Sequence, residues 1–365
     1  MANNDLLYQI GITLIPGIGD VTGKKLLAYC GSLEAVFTEK KAALMKIPGI
    51  GQSTVNSIVN HDVFNRAEQE MKFIEKYNIK PLFFTDPDYP ARLLNCEDGP
   101  MLLFYKGTAN LNNKRVVSIV GTRRATNYGK DTCNDIVSGL EEKEVLLISG
   151  LAYGIDSCAH RKSVSCGIPT VAVLAHGLDR IYPSQNRKLA EMMLKNGGLL
   201  TEFLSGSKPD RENFPKRNRI VAGMSDAIIV IESGRRGGAL ITAELGNSYN
   251  RDVFAVPGKL NDEMSGGTNF LIKTNRAALL ESPADIAYIM GWEDKPTRKK
   301  SQIELFIDLG DDEKLLLEII RNENEITIDQ LVMKSELTTS KAAAALLNLE
   351  FESLIQSLPG KLYKT

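Results

Sequence analysis

Between Arg115 and Gly258 short apolar runs alternate with polar stretches of helical period. VVSIVG, VLLISG, TVAVLA, GLLTEF, AIIVIES and DVFAVPG each end in a polar or glycine-rich turn. Near-continuous apolar runs of this length fit strands buried on both faces. Their steady alternation with helical patterns predicts an α/β fold, a Rossmann-like parallel sheet covered by helices on both sides. Ligands on such sheets sit outside the carboxyl ends of the strands. The turns holding Gly121, Gly150, Gly177 and Gly234 therefore mark the edge where function is expected.

The flanking pattern differs. LIPGIGDVTGKKLL (Leu14 to Leu27) recurs in outline as MKIPGIGQSTVNSIV (Met45 to Val59), which predicts a helical, helix-hairpin-helix-like domain over 1–80. A glycine turn beside a helix N-terminus can hold a DNA phosphate, with Lys24 and Lys25 in support, or simply join two packed helices; the pattern leaves both open. Prolines spaced through 81–113 suit a connecting segment with extended pieces, ahead of the main domain that runs to 292. A charged linker is expected over 293–310. Three amphipathic stretches and a short ribbon over 311–365 then resemble a winged helix. In its third helix Thr339, Ser340 and Lys341 offer little for reading base edges, which favours a protein-contact or weakly DNA-binding module.

Composition narrows the function. The 365 residues carry a formal net charge of −1, so any affinity for nucleic acid must come from a local basic cluster. No run of about 18 apolar residues is present and the first residues lack the layout of a secretory signal; the expected compartment is the cytoplasm, with no membrane contact. Five cysteines without CxxC spacing and three histidines support neither a disulfide framework nor a zinc site. No metal or cofactor is expected.

The local basic cluster is KPDRENFPKRNRIV, where Lys208, Arg211, Lys216, Arg217 and Arg219 outnumber Asp210 and Glu212. Phe214 sits among them, read here as a loop residue. Cations that track a backbone and an aromatic face for a base are what single-stranded nucleic acid requires. The first βα turn adds Gly121, Thr122, Arg123 and Arg124, guanidinium groups suited to phosphate, without the G-x-G-x-x-G of a dinucleotide site. Gly150 and Gly154 precede a helix and suggest a backbone anion cradle; Gly237 and Gly238, next to Arg235 and Arg236, suggest another. Asp156 and His160 lie four apart, the spacing of an acid–base pair, but a capping carboxylate and a structural histidine explain them more simply.

SIVGTRR, ISGLAYGIDSCAH, GLDRIYP, FPKRNRIVAG, GGALITA and VFAVPG, in this order, closely resemble the DprA/Smf (DNA-processing protein A) family. The likeness spans about Leu82 to Ile289. It implies an extended Rossmann-like domain that forms a homodimer, binds single-stranded DNA and helps load the RecA recombinase during natural transformation, without catalysis. Carried over by position, the pocket would use Arg123, Arg211 (often Lys in the family), Phe214, and Asn218 with Arg219.

Two enzyme classes compete. A nucleotide-hydrolysing enzyme of the lysine-decarboxylase-like family needs a glycine turn with a catalytic Glu, which Gly237, Gly238, Thr242 and Glu244 imitate loosely. An ATP-driven motor would need G-x-x-x-x-G-K-[ST], and that pattern does not occur.

Overall fold

A computed structural model describes residues 2–292 and 309–364, apart from Asn324, Ser353 and 359–361. The chain divides into two compact units, Met1–Glu293 and Asp294–Thr365. Of the expected linker, 293–308 lie outside the described residues.

The first unit opens with six helices: α1 (Ala2–Leu14), α2 (Asp20–Cys30), α3 (Leu33–Thr38), α4 (Lys41–Leu44), α5 (Gln52–Val59) and α6 (Phe64–Lys76). The two IPGIG turns join α1 to α2 and α4 to α5. Gly17 and Gly49 adopt φ of 83° and 76°, a conformation that a side chain disfavours, which is why the pentapeptide recurs.

A nine-stranded sheet follows, made of β1 (Lys80–Phe83), β2 (Leu102–Gly107), β3 (Arg115–Val120), β4 (Val145–Ser149), β5 (Thr170–Val173), β6 (Gly197–Thr201), β7 (Ala227–Val230), β8 (Asp252–Ala255) and β9 (Ala278–Leu279). Its order is β1-β2-β6-β5-β4-β3-β7-β8-β9. From β6 to β9 all pairs are parallel, and the six apolar runs of the sequence are β3 to β8. The chain runs outward from β3 through β4, β5 and β6, then returns to pair β7 with β3 on its other side. That reversal opens a crevice at the carboxyl ends of β3 and β7, the usual ligand position on such sheets.

Short α7 (Ala91–Leu94) lies between β1 and β2. The helices that cover the sheet are α8 (Asn127–Gly139), α9 (Ile155–Ser165), α10 (Arg187–Met193), α11 (Asn213–Gly223), α12 (Gly238–Ser248), α13 (Gly266–Lys273) and α14 (Pro283–Ile289). One face of the sheet buries Val116, Ile148, Val171 and Ile228 against residues of α11 and α12. The other buries Val117, Leu147 and Ile229 against α8, α9 and α14.

The proline-spaced segment is more than a connector. β2 pairs antiparallel with β6, and β1 with β2, so both strands widen the sheet. Alternate residues of β2 face opposite ways: Leu103 and Tyr105 join the sheet core, while Leu102 and Phe104 join the core of the six N-terminal helices. Arg92 also clamps Asp226 with two bonds, Nε to Oδ1 at 2.6 Å and Nη2 to Oδ2 at 2.7 Å.

The second unit contains α15 (Asp311–Glu323), β10 (Ile326–Thr327), α16 (Ile328–Ser335), α17 (Thr339–Phe351), β11 (Gln356–Leu358) and β12 (Leu362–Lys364), with the strands in the order β10-β12-β11. Thr327 and Gln330 form a reciprocal capping box that fixes the start of α16. Leu316, Ile320, Leu331, Leu346 and Leu349 form its core. Three helices and a ribbon are the arrangement expected of a winged helix. No helix among the described residues is long and apolar enough to cross a membrane.

Candidate nucleic-acid interface

The crevice at the β3/β7 reversal has a volume of about 530 Å³. Four segments wall it. The turn after β3 contributes Gly121, Thr122 and Arg123, and the turn after β4 contributes Gly150 and Ala152. Arg211 and the first half of α11 add Phe214, Arg217 and Asn218; the turn after β7 adds Gly234, Arg236, Gly237 and Gly238. Among the lining residues the charged groups are four arginines and one carboxylate, Asp156. Asp156 is buried, while Arg123, Arg211 and Arg236 are exposed. A chain near neutrality thus places a positive rim on one opening, where low-dielectric walls focus the field.

Arg123 lies over the Phe214 ring, with its guanidinium carbon 4.9 Å from the ring centroid. This contact favours a cation above the ring and leaves the guanidinium N–H groups available at its edge. Phe214 and Asn218, four apart on α11, share a helix face, so both reach the crevice. Opposite them the first turn of α12 lines the wall through Gly237, Gly238 and Ala239. The first N–H groups of a helix carry its positive end, and a Cβ at Gly238 would meet nothing within 4 Å, so that end is open.

Beneath the rim, Arg217 is buried and donates from Nη1 to the Val173 carbonyl at 2.9 Å. Gly150 makes room for it: a Cβ there would stand 1.6 Å from Arg217 Nη1. Burial pushes the Asp156 carboxyl above its ordinary range, opposed by the charge of Arg217, and burial lowers the guanidinium in turn. His160 is also buried. Its Nδ1 lies 2.7 Å from Thr170 Oγ1, and burial pushes its pKa down to about 3, so the ring is neutral and structural.

Several expected site residues take other places. Phe214 is not in a loop but in the first turn of α11, where Pro215 is tolerated because the first N–H groups of a helix lack partners within it. Successive residues of a helix point about 100° apart, so the run Lys216, Arg217, Asn218, Arg219 cannot face one crevice. Arg217 points inward. Lys216 and Arg219 line a separate cavity of about 420 Å³ between α2 and the sheet. There Arg219 is paired with Glu202 and, at 3.1 Å, with Asp20, and donates to the Asp98 carbonyl. Such internal pairing removes Arg219 from the set of phosphate-binding groups. Lys208 and Arg124 are exposed but outside the crevice lining.

The turn at Gly154 is not a free anion cradle. Ile155 N–H donates to the Thr122 carbonyl at 3.2 Å and Ser157 N–H to the Ala152 carbonyl, while a Cβ at Gly154 would meet the Thr122 oxygen at 2.2 Å. Its role is close packing of two turns. Lys24 is likewise occupied: its Nζ donates to the Gly99 carbonyl at 2.6 Å. Glu244, the carboxylate a nucleotide-hydrolysing site would need, lies outside the crevice lining and pairs with Arg276 at 3.3 Å.

The Arg219 cluster has a measurable consequence. Burial pushes Glu202 up to about 7, outweighing the attraction of Arg219. An acid whose folded-state pKa is raised binds more protons folded than unfolded, so its contribution to stability is full below the unfolded value and is lost as pH rises through the folded one. Glu202→Gln is therefore expected to flatten the fall in stability between pH 4.5 and about 7, as read by denaturant midpoints across that range. Parallel curves for the two proteins would contradict it.

Comparison with known proteins fits this geometry. Residues 80–291 match the family model of the DNA recombination-mediator protein A, residues 11–61 a SAM-like helix-hairpin-helix tandem, and residues 307–361 the DprA winged helix domain. The chain belongs to the DNA recombination-mediator protein A family. Its relatives in that family include Protein Smf of Synechocystis, 32% identical over all of both chains. The structure of DNA processing protein A from Streptococcus pneumoniae, 32% identical, superposes with a TM-score of 0.67 over 77% of this chain and 97% of that one. A structure of the Helicobacter pylori protein, described by its single-stranded DNA binding mode, is 27% identical with a TM-score of 0.54, over 59% of this chain and 96% of that one.

What the sequence missed is aromatic. Tyr182 and Tyr153 line a small hollow beside the crevice together with Arg123, His176 and Phe214. Each belongs to a turn far from Phe214 in sequence, and only the fold brings them together.

Proposed function

We propose that this chain binds single-stranded DNA in the β3/β7 crevice without regard to sequence and delivers it to RecA during DNA uptake, acting as a homodimer and not as an enzyme. The observation that carries the reading is Arg123 seated over a partly buried Phe214 on a rim whose other exposed charges, Arg211 and Arg236, are also cationic. Guanidinium and helix N–H groups take phosphates, and the phenyl face takes a base. Every base has a π-face, so stacking is tolerant of sequence, and it is reached only when the strand is unpaired. The Helicobacter pylori relative, described as binding single-stranded DNA, supports the choice of ligand. The family's description as a recombination mediator supports passing the strand to a recombinase. A binding rather than catalytic role is favoured by the position of Glu244 away from the crevice and by the burial of His160.

The test is fluorescence anisotropy of a labelled oligonucleotide, single-stranded and as duplex, at one fixed salt concentration. The single strand is expected to bind at least about tenfold more tightly, the equivalent of one stacked base. Equal affinity for duplex would refute the reading.

A further inference from the structure

We propose that Tyr182 and Tyr153 form a second base-stacking platform next to Phe214, so that the bound strand leaves the crevice across the turns after β4 and β5. This rests on the single-strand reading above and extends it to a path. The GLDRIYP turn, which that reading leaves without a task, supplies the first ring.

Tyr182 is 45% exposed and Tyr153 42% exposed, large aromatic faces in water on the rim of a positive site. The Tyr182 and Phe214 centroids are 6.3 Å apart with planes at 54°, so the two rings stand as neighbouring platforms instead of stacking on each other. Arg123, over Phe214, also lines the hollow that Tyr182 and Tyr153 share, so a phosphate-binding group lies beside both stacking platforms.

The rim is built, not loose. Tyr182 N–H donates to Nε2 of the buried His176 at 3.2 Å, whose Nδ1 is 2.9 Å from the Gly177 carbonyl oxygen. Buried Asn186 bonds across to the Leu151 carbonyl at 2.8 Å, and Tyr153 Oη lies 2.6 Å from Gln185 Oε1. These bonds tie the two tyrosine-bearing turns together before any ligand arrives, and a pre-ordered platform loses little freedom on binding. The hollow itself, about 20 Å³, is too small for a base, so the outer ring faces are the binding surface.

The experiment measures affinity for poly-dT oligonucleotides of increasing length with the full chain and with Tyr182→Ala, Tyr182→Phe, Tyr153→Ala, Phe214→Ala and the Tyr182→Ala/Phe214→Ala pair, each checked for folding by thermal melting. Tyr182→Ala is expected to weaken long oligonucleotides about 5- to 100-fold, and to stop gaining affinity one or two nucleotides earlier than the unaltered protein. Tyr182→Phe should bind within about twofold of it, since the ring is retained. Tyr153→Ala should shorten the length dependence in the same way and serves alone if Tyr182→Ala does not fold. A Tyr182 loss that vanishes in the Phe214→Ala background would show that the tyrosine only props Phe214, and would overturn this inference alone, as would unchanged length dependence in both tyrosine variants. No single-strand binding by the unaltered chain would overturn both this and the function proposed above.

Discussion

Arg217→Ala is expected to destabilise the first unit by about 2–5 kcal/mol, because it empties the space of a long buried side chain, leaves the Val173 carbonyl without its donor and removes the charge that opposes the burial of Asp156. The position looks like a DNA contact from its neighbours in the sequence, yet its guanidinium lies under the crevice, bonded to the Val173 carbonyl. Gly150→Ala should destabilise by less: the new Cβ would overlap Nη1, so the guanidinium must shift toward the crevice it lines and give up its bond to the Val173 carbonyl. Arg217→Met, which retains the volume, should recover only part of the loss, and adding Asp156→Leu should recover more by removing a buried acid that no longer has a cation nearby. Denaturant unfolding with an intrinsic probe of the sheet domain reads all four. Little change on Arg217→Ala would mean that Arg217 does not hold the crevice floor.

Phe214→Ala should lower affinity for single-stranded DNA by about 1–3 kcal/mol, roughly 5- to 150-fold, with no comparable loss of stability. The ring is half-buried and sits on the first turn of α11, where little of the core depends on it. Truncation removes both the stacking face and the seat of Arg123, so Arg123→Ala in the same background should cost less than it does alone. Additive losses would show that the two residues act on separate parts of the strand.

Much of this arrangement was readable in the residues. Six apolar runs closed by glycine turns place β3 to β8, and their ends place Gly121, Thr122, Arg123, Gly237 and Gly238 at one edge. The phase of α11 was not readable in the same way. Pro215 within a charged run suggested a loop, although Ile220, Val221 and Met224, spaced for a helix, continue directly from it; only the helix start decides that Phe214 and Asn218 face the crevice while Lys216 and Arg219 turn toward α2. Arg219 illustrates the limit, because its partners Asp20 and Glu202 are 199 and 17 residues away in the chain. Charge counts along a sequence do not reveal which cations are already paired. Tyr153 and Tyr182 were hidden for the related reason that exposure of an aromatic ring is a property of the folded surface.

The most direct test of a strand held at this crevice is the slope of log affinity against log salt for single-stranded DNA, measured for the unaltered chain, Arg123→Ala and Phe214→Ala. Each phosphate deprived of its cation should reduce the slope by about 0.7, so Arg123→Ala should flatten it, whereas Phe214→Ala should lower the whole line and flatten it by less than Arg123→Ala does. Identical lines for all three proteins would contradict binding by guanidinium and ring.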